Sequence, residues 1–224
     1  MGPPRVPIIR ILTLMIYIMK SIKTYDSLEN LGRIRLSKHF FMLDFLYSEI
    51  SNFYGIPNIL ENPELAIEAG KHLCEELLEP LNATFGRIAV RSAYRSPTVN
   101  KFGNEKNHNC AGNETNFAHH IWDFQDAEGD LGATACITIP WFMDKYANGA
   151  DWKSLAYWIH DHLPYSELEF FDGKGMCSFN ISWHEKPKKN IRSRLTPRVL
   201  LKNAVDINGF ENWYPDFPKL VVST

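Results

Sequence analysis

The run FGRIAVRSAYRSPTVN, from Phe85 to Asn100, is the feature that most constrains this fold. It predicts a strand, Arg87 to Ser92, that delivers a Ser-Ala-Tyr-Arg-Ser-Pro loop with Arg95 at its end. The strand is too apolar to lie on the surface, so the loop should open onto a cleft. An arginine held there can bind a carboxylate through two parallel hydrogen bonds. The alternative for Arg95 is a salt bridge to a neighbouring helix.

The composition is that of an ordinary globular protein. With 224 residues the chain can bury one good core and is short for two full domains. A net charge of −2 gives no general attraction to nucleic acid or to anionic membranes. The cysteines are isolated, which predicts reduced thiols rather than a disulfide framework or a cysteine-based zinc site. They are Cys74, Cys110, Cys136 and Cys177.

The N-terminal region, residues 1–35, is predicted to be an extension outside the domain. Ile8 to Met19 form an apolar run interrupted by Arg10, and the run is shorter than the roughly 20 residues that span a bilayer. A disordered tail, a misassigned start and a signal or anchor are the alternatives. We expect no membrane span, and a cytoplasmic or virion-associated location.

Two helices are predicted before the strand. Ser37 caps the first, whose apolar residues recur at helical spacing until Gly55 stops it. Asn62, followed by Pro-Glu, caps the second, which is expected to run to Pro80.

The region after the arginine loop has mixed signals. Residues 101–118 are rich in Asn and Gly and predict a long loop, and His120 to Asp126 predict a strand or an extended segment. ATACITIP is a β-branched run, and Pro140 opens a short helix. Asp151 caps an amphipathic helix, DWKSLAYWIHDHL.

Two strands close the predicted core, YSELEFF and CSFNISWHE, joined by a Gly-rich hairpin link. If the hairpin is symmetric, Glu169 lies opposite Asn180. Helices followed by strands indicate an α+β domain with a small antiparallel sheet, over residues 36–185. Residues 186–224 are basic and contain prolines, and we expect them to form a tail. That tail could attract a polyanion or a virion neighbour, but it lacks the stacking aromatics of specific nucleic-acid binding.

The arginine loop and its neighbours resemble the zinc D-Ala-D-Ala carboxypeptidase family, which shares its fold with the Hedgehog signalling domain. The similarity runs from Leu36 to Trp183 and consists of segments in the same order. These are LSKHFFMLDFLYS, GIPN, LLEPLNATFGRIAVRSAYRSPTVN and WIHDHLPYSELEFF. The resemblance implies a Hedgehog/DD-peptidase fold that acts on D-Ala-containing stem peptides of peptidoglycan, with a zinc-activated water as nucleophile.

The family's zinc ligands are only partly present. Active members carry S-x-H-x-x-G-x-A-x-D after the loop and a third ligand on the closing strand. Asp123 falls on the aspartate, but Asn116 and Asn180 stand where the family has histidines, and Phe171 takes the place of its glutamate. Asparagine amides bind zinc far more weakly than imidazole, so this set in register would not hold the metal tightly.

One interpretation is a relocated zinc site. His120, Asp123 and His184 lie close to the motif positions and are the candidate ligands, because three protein ligands and a water make a catalytic zinc site. Glu169 is the candidate general base, and Arg95 the group that steadies the substrate carboxylate or the oxyanion. Other histidines and acids near these positions are His108, His119 and Asp126.

The resemblance also assigns a substrate-binding surface, to Ser92, Tyr94, Asn116 and Asn180. Two further interpretations stay open. The chain could be a catalytically degenerate protein that binds peptidoglycan without cutting it. It could also be a structural protein, for instance of a phage particle, because a fold carries no guarantee of its chemistry.

Overall fold

The computed structural model describes residues 22–171 and 175–221. The predictions for Ile8 to Met19 and for the hairpin link at 172–174 lie outside this part of the chain. Within it, no helix is both long enough and apolar enough to cross a membrane.

Helices dominate the first half of the chain and strands the second. The helical elements are α1 (Tyr25–Gly32), a 3₁₀ turn (Met42–Phe45), α2 (Glu49–Tyr54), α3 (Pro63–His72), a π turn (Leu73–Leu78), α4 (Glu79–Phe85), α5 (Pro97–Glu105), α6 (Asn113–Asn116), α7 (Pro140–Ala147), α8 (Trp152–His162) and a 3₁₀ turn (Glu211–Trp213). The strands are β1 (Ala89–Ser92), β2 (Gly132–Thr138), β3 (Glu167–Phe170), β4 (Phe179–His184), β5 (Asn190–Ser193) and β6 (Val199–Leu201).

The strands form a mixed sheet in the order β1-β2-β4-β3-β5-β6. The predicted α+β class is confirmed, but the sheet is not purely antiparallel, because β3 and β5 run parallel. The parallel pair results from the short connection between β4 and β5. β5 follows β4 through a short link and runs in the opposite direction to it, and it then pairs with β3, which is also antiparallel to β4.

One face of the sheet forms the core. Ile137, Leu168, Phe179 and Ile181 are fully buried there, and strand alternation places them on the same side. The ring of Trp152 on α8 lies 5.0 Å from that of Phe170 on β3, and α3 with its π turn contacts β2 and β4. The opposite face of the sheet is therefore free to carry polar side chains.

The first predicted helix is wrong in its extent. It is divided into the 3₁₀ turn and α2, and the hydroxyl of Ser37 donates to Glu79 Oε1 at 2.7 Å instead of capping a helix. Ser48 is the cap of α2, where its Oγ accepts from the amide of Ser51. Gly55 ends that helix in the left-handed region at φ 66°, as its position predicted.

The second predicted helix is confirmed, with Pro63 in its first turn. It does not end at Pro80, however. The chain continues through the π turn into α4 and ends at Phe85, next to Gly86. Proline cannot donate to the helical ladder, and the wider π turn directly before it is one way in which a helix absorbs that loss.

The region after the arginine loop also differs from the prediction. Ser96 caps α5, accepting from the amide of Val99, so much of the predicted loop at 101–118 is helical. The segment His120 to Asp126 is a series of turns rather than a strand. The adjacent run is strand β2, as predicted.

Parts of both predicted terminal segments belong to the fold. Leu31 of α1 is buried at the start of the chain. At the other end β5 and β6 extend the sheet, and the carboxylate of Asp161 on α8 accepts hydrogen bonds from the amides of Gly209 and Phe210.

Candidate functional site

The polar face of the sheet carries a row of side chains that crosses five strands. The pairing register places Cys136 opposite both Ser92 and Asn180, and Glu169 opposite both Asn180 and Arg192. The predicted alignment of Glu169 with Asn180 is thus confirmed. We call this set the floor row, and its members are Ser92, Cys136, Asn180, Glu169 and Arg192.

The floor row lies at the bottom of a cleft of about 1040 Å³. One wall is made by exposed aromatic side chains of the segment through α2, and a second by the loop at 108–111. The predicted residues that line the cleft are Ser92, Arg95, Asn116, His120, Glu169 and Asn180. The structure therefore brings most of the predicted substrate-binding and catalytic residues together.

The arginine loop is held from two sides. Asn58 donates from Nδ2 to the carbonyl of Tyr94 at 3.0 Å and accepts from the amide of Ser96 at 2.7 Å. On the other side the amide of Arg95 donates to the carbonyl of His120 at 2.8 Å. These bonds fix the backbone on both sides of Arg95, so its side chain extends into the cleft from a fixed position.

The Arg95 guanidinium has no carboxylate partner. Its Nε is buried and makes no hydrogen bond, and it forms no salt bridge with the acids in the described part of the chain. Burial lowers its pKa, which the charge of Glu49 partly offsets. Arginine nevertheless stays protonated in proteins, so the cleft holds a positive charge that forms no salt bridge with the residues described.

His120 is a neutral imidazole at the same end of the cleft. Its Nδ1 donates to the carbonyl of Ala93 at 2.8 Å, which leaves Nε2 unprotonated. Burial, and then the charge of Arg95, hold its pKa well below the usual value. His119 also lines the cleft, and burial lowers its pKa too.

The two asparagines at the family's histidine positions differ in their surroundings. Asn116 is buried, and its Nδ2 donates to the carbonyls of Ala111 at 3.1 Å and Gly112 at 3.4 Å, so it holds the loop. Asn180 is half-buried in the middle of the floor row, and its amide makes no hydrogen bond to the residues described. The amide of Asn180 is therefore available to a ligand.

Glu169 and Tyr94 have unequal access to the cleft. The Glu169 carboxylate lies 3.7 Å from Arg194 Nε, beyond hydrogen-bond distance. Tyr94 is fully buried, does not line the cleft, and directs its hydroxyl towards the carbonyl of Ile59 at 3.5 Å. Tyr94 therefore supports the loop from below.

Asp123 is part of the scaffold rather than of the cleft. It is fully buried, and its Oδ2 accepts from the amides of Glu61 at 2.7 Å and Asn62 at 3.3 Å, directly before α3 begins. Burial raises its pKa, against the hydrogen bonds from those amides. Asp123 thus satisfies backbone donors next to the start of α3.

His184 is also engaged elsewhere. Its Nε2 lies 3.1 Å from Asp126 Oδ2, and its Nδ1 accepts from the amide of Lys186. His120, Asp123 and His184 consequently do not meet at one point. Across residues 22–171 and 175–221, no group of three or more His, Cys, Asp or Glu side chains is placed to hold a metal ion.

Several basic residues of the predicted tail are engaged within the fold. Lys186 pairs with Asp130 at 2.8 Å and Arg192 with Glu167 at 2.6 Å. Lys189 donates to the carbonyl of Leu163, and burial lowers its pKa to about 8. These cations are therefore less available to an external polyanion than the sequence indicates.

Several residues of the cleft were not predicted from the sequence. Arg192 and Arg194 project from β5 and just beyond it, and the alternation in NIRSR is a signal that could have placed them on one face. The sequence predicts one long helix that includes Tyr47, Phe53 and Tyr54. With that helix broken at Ser48, their side chains face the cleft.

Comparisons of the chain with models of protein families, with curated proteins and with solved structures find no match.

Proposed function

We propose that this protein binds the C-terminal end of a peptide in the cleft, with Arg95 as the anchor of the terminal carboxylate. The observation that carries the proposal is the half-buried Arg95 side chain, whose Nε is fully buried and which has no salt-bridge partner among the residues described. Such a charge is costly in the free protein, and a carboxylate that makes two charge-assisted hydrogen bonds would offset the cost. The free amide of Asn180 could then bind the peptide group that precedes the carboxylate.

The ligand class we propose is the D-Ala-ended stem peptide of peptidoglycan, bound by a fold of the Hedgehog/DD-peptidase type. What supports it is the resemblance of the arginine loop and its flanking segments, together with the α+β architecture. The position of Arg95 at the end of the floor row is also compatible with a ligand that ends there.

The proposal is binding rather than metal-assisted hydrolysis, because the candidate ligands do not fit zinc. A catalytic zinc site needs three protein ligands around one point. Asp123 instead accepts amide hydrogens before α3, and His184 is paired with Asp126. We therefore propose that Glu169 binds the ligand as part of the floor row, and we assign it no role in proton transfer.

Titration calorimetry tests this function. N-acetyl-D-Ala-D-Ala should bind with measurable affinity, and its C-terminal amide and its L-Ala-L-Ala counterpart should each bind at least tenfold more weakly. Arg95→Gln should lose the preference for the acid. Arg91→Gln should keep it, because Arg91 is an exposed arginine on β1, the strand that precedes the arginine loop. Equal affinities for acid and amide would contradict the proposal.

A further inference from the structure

The floor row is much longer than a terminal dipeptide. It crosses five strands, and neighbouring strands lie about 4.8 Å apart, so its two ends are separated by about 19 Å. An extended peptide advances roughly 3.3 Å per residue, so a dipeptide would cover about a third of that length. Every member of the row lines the cleft.

Helix α2 follows the cleft from the arginine loop towards β5. At its beginning, Glu49 lines the cleft together with Arg95. At its end, the hydroxyl of Tyr54 is bonded to His108 Nε2 at 2.9 Å. The next residue in that loop, Asn109, contacts Arg194 at 3.4 Å, just beyond β5. The wall formed by α2 therefore accompanies the floor row away from the carboxylate anchor.

The aromatic side chains of this wall expose an unusually large apolar surface. The side chain of Phe53 is 82% exposed, and Tyr47 is 54% exposed. Phe53 lies edge-on to Tyr54, with ring centroids 4.9 Å apart, and Tyr54 in turn contacts Phe102. A contiguous exposed aromatic surface beside a polar cleft is typical of a binding site.

We infer that the cleft takes a peptide of about six residues and that Phe53 binds an apolar side chain upstream of the terminal carboxylate. The inference rests on the proposed function, because Arg95 fixes the direction of the ligand. Its occupant is the same peptide that ends at Arg95, since the aromatic wall is continuous with the cleft that holds the anchor.

Three peptides test the inference by titration calorimetry: N-acetyl-D-Ala-D-Ala, and two acetylated pentapeptides ending in D-Ala-D-Ala. One pentapeptide has leucine at its first two positions, and the other has glycine there. The leucine pentapeptide should bind at least tenfold more tightly than the other two. Phe53→Ala should remove that advantage and leave the affinity for the dipeptide within about twofold, because the site at Arg95 is untouched.

Tyr25→Ala serves as the matched control, since Tyr25 is 79% exposed on α1 and does not line the cleft. It should leave all three affinities unchanged. Equal binding of the dipeptide and the leucine pentapeptide, or a leucine advantage that survives Phe53→Ala, would overturn the inference. Loss of the acid-over-amide preference is a separate result, which would contradict the proposed function while the effects of length and of Phe53 are still measured. Absence of binding by all three peptides would overturn both.

Discussion

The backbone amide of Arg95 donates to the carbonyl of His120 at 2.8 Å, and the ring of His120 donates back to the carbonyl of Ala93 in the same loop. This reciprocal pair joins the arginine loop to the turns that precede β2. It gives His120 a positioning role that needs no metal.

Replacement of His120 should loosen the arginine loop. In His120→Ala the buried carbonyl of Ala93 loses its donor, and we expect the free energy of unfolding to fall by about 1–3 kcal/mol. Peptide affinity should fall together with stability, because the backbone that carries the Arg95 side chain is no longer held in place. Urea unfolding and calorimetry measure the two effects. A variant with unchanged stability and unchanged affinity would show that the pair does not position Arg95.

Replacement of Arg95 should stabilise the free protein and weaken the binding of a peptide that ends in a free carboxylate. Arg95→Met removes a half-buried charge that has no salt-bridge partner in the described part of the chain, and we expect the free energy of unfolding to rise by about 1 kcal/mol. A lower stability than that of the natural protein would indicate that the guanidinium has a partner inside the fold. Thermal and urea unfolding without ligand make the comparison.

Replacement of Asp123 should affect folding and leave metal content unchanged. Asp123→Ala leaves the amides of Glu61 and Asn62 without their acceptor, and a destabilisation of about 1–2 kcal/mol is expected. Asp123→Asn keeps one acceptor oxygen and should lose less. Metal analysis of untagged protein is the second measurement. Stoichiometric zinc in the natural protein that disappears in Asp123→Asn would restore the relocated zinc site.

The two asparagines of the cleft should respond differently to alanine. Asn116→Ala removes two hydrogen bonds that hold the loop, and should cost about 1–2 kcal/mol of stability. Asn180→Ala should change stability by less than about 0.5 kcal/mol, because its amide has no partner to lose among the residues described, but should weaken peptide binding severalfold. A loss of stability in Asn180→Ala and a loss of peptide affinity alone in Asn116→Ala would contradict this assignment.

Glu79 should make stability depend on pH. Burial acts to raise its pKa, but hydrogen bonds from His39 and Ser37 hold it below its ordinary value of 4.5. A lowered pKa in the folded protein contributes stability above pH 4.5, and this contribution is lost as the pH falls through the folded value. Glu79→Gln should therefore be less stable than the natural protein at pH 7, with a gap that narrows below pH 4.5. A gap independent of pH would contradict the assignment.

The sequence predicted the parts of this fold that depend on neighbouring residues. Asn62-Pro63 marked the start of α3, and the Gly-rich link placed Glu169 opposite Asn180. The sequence-based prediction was wrong where a residue bonds to a partner that is distant in the chain. The hydroxyl of Ser37 is bonded to Glu79, 42 residues away, so it does not cap a helix. Such pairings leave no local pattern.

The backbone contacts of Asp123 could not be predicted from the sequence for the same reason. Its amide partners lie 61 and 62 residues earlier in the chain, and the motif alignment alone made it a metal ligand. Arg95 lies at the cleft, as the strand that ends in a Ser-Pro turn indicated, but the sequence left a salt bridge open as the alternative for its side chain.

The central claim is that Arg95 binds the terminal carboxylate, and a double-mutant cycle tests it most directly. The four affinities are those of the natural protein and Arg95→Gln for N-acetyl-D-Ala-D-Ala and for its C-terminal amide. We predict a coupling energy of about 1.5–3 kcal/mol, the range for hydrogen bonds to charged groups. Additive effects, with a coupling energy near zero, would contradict the claim.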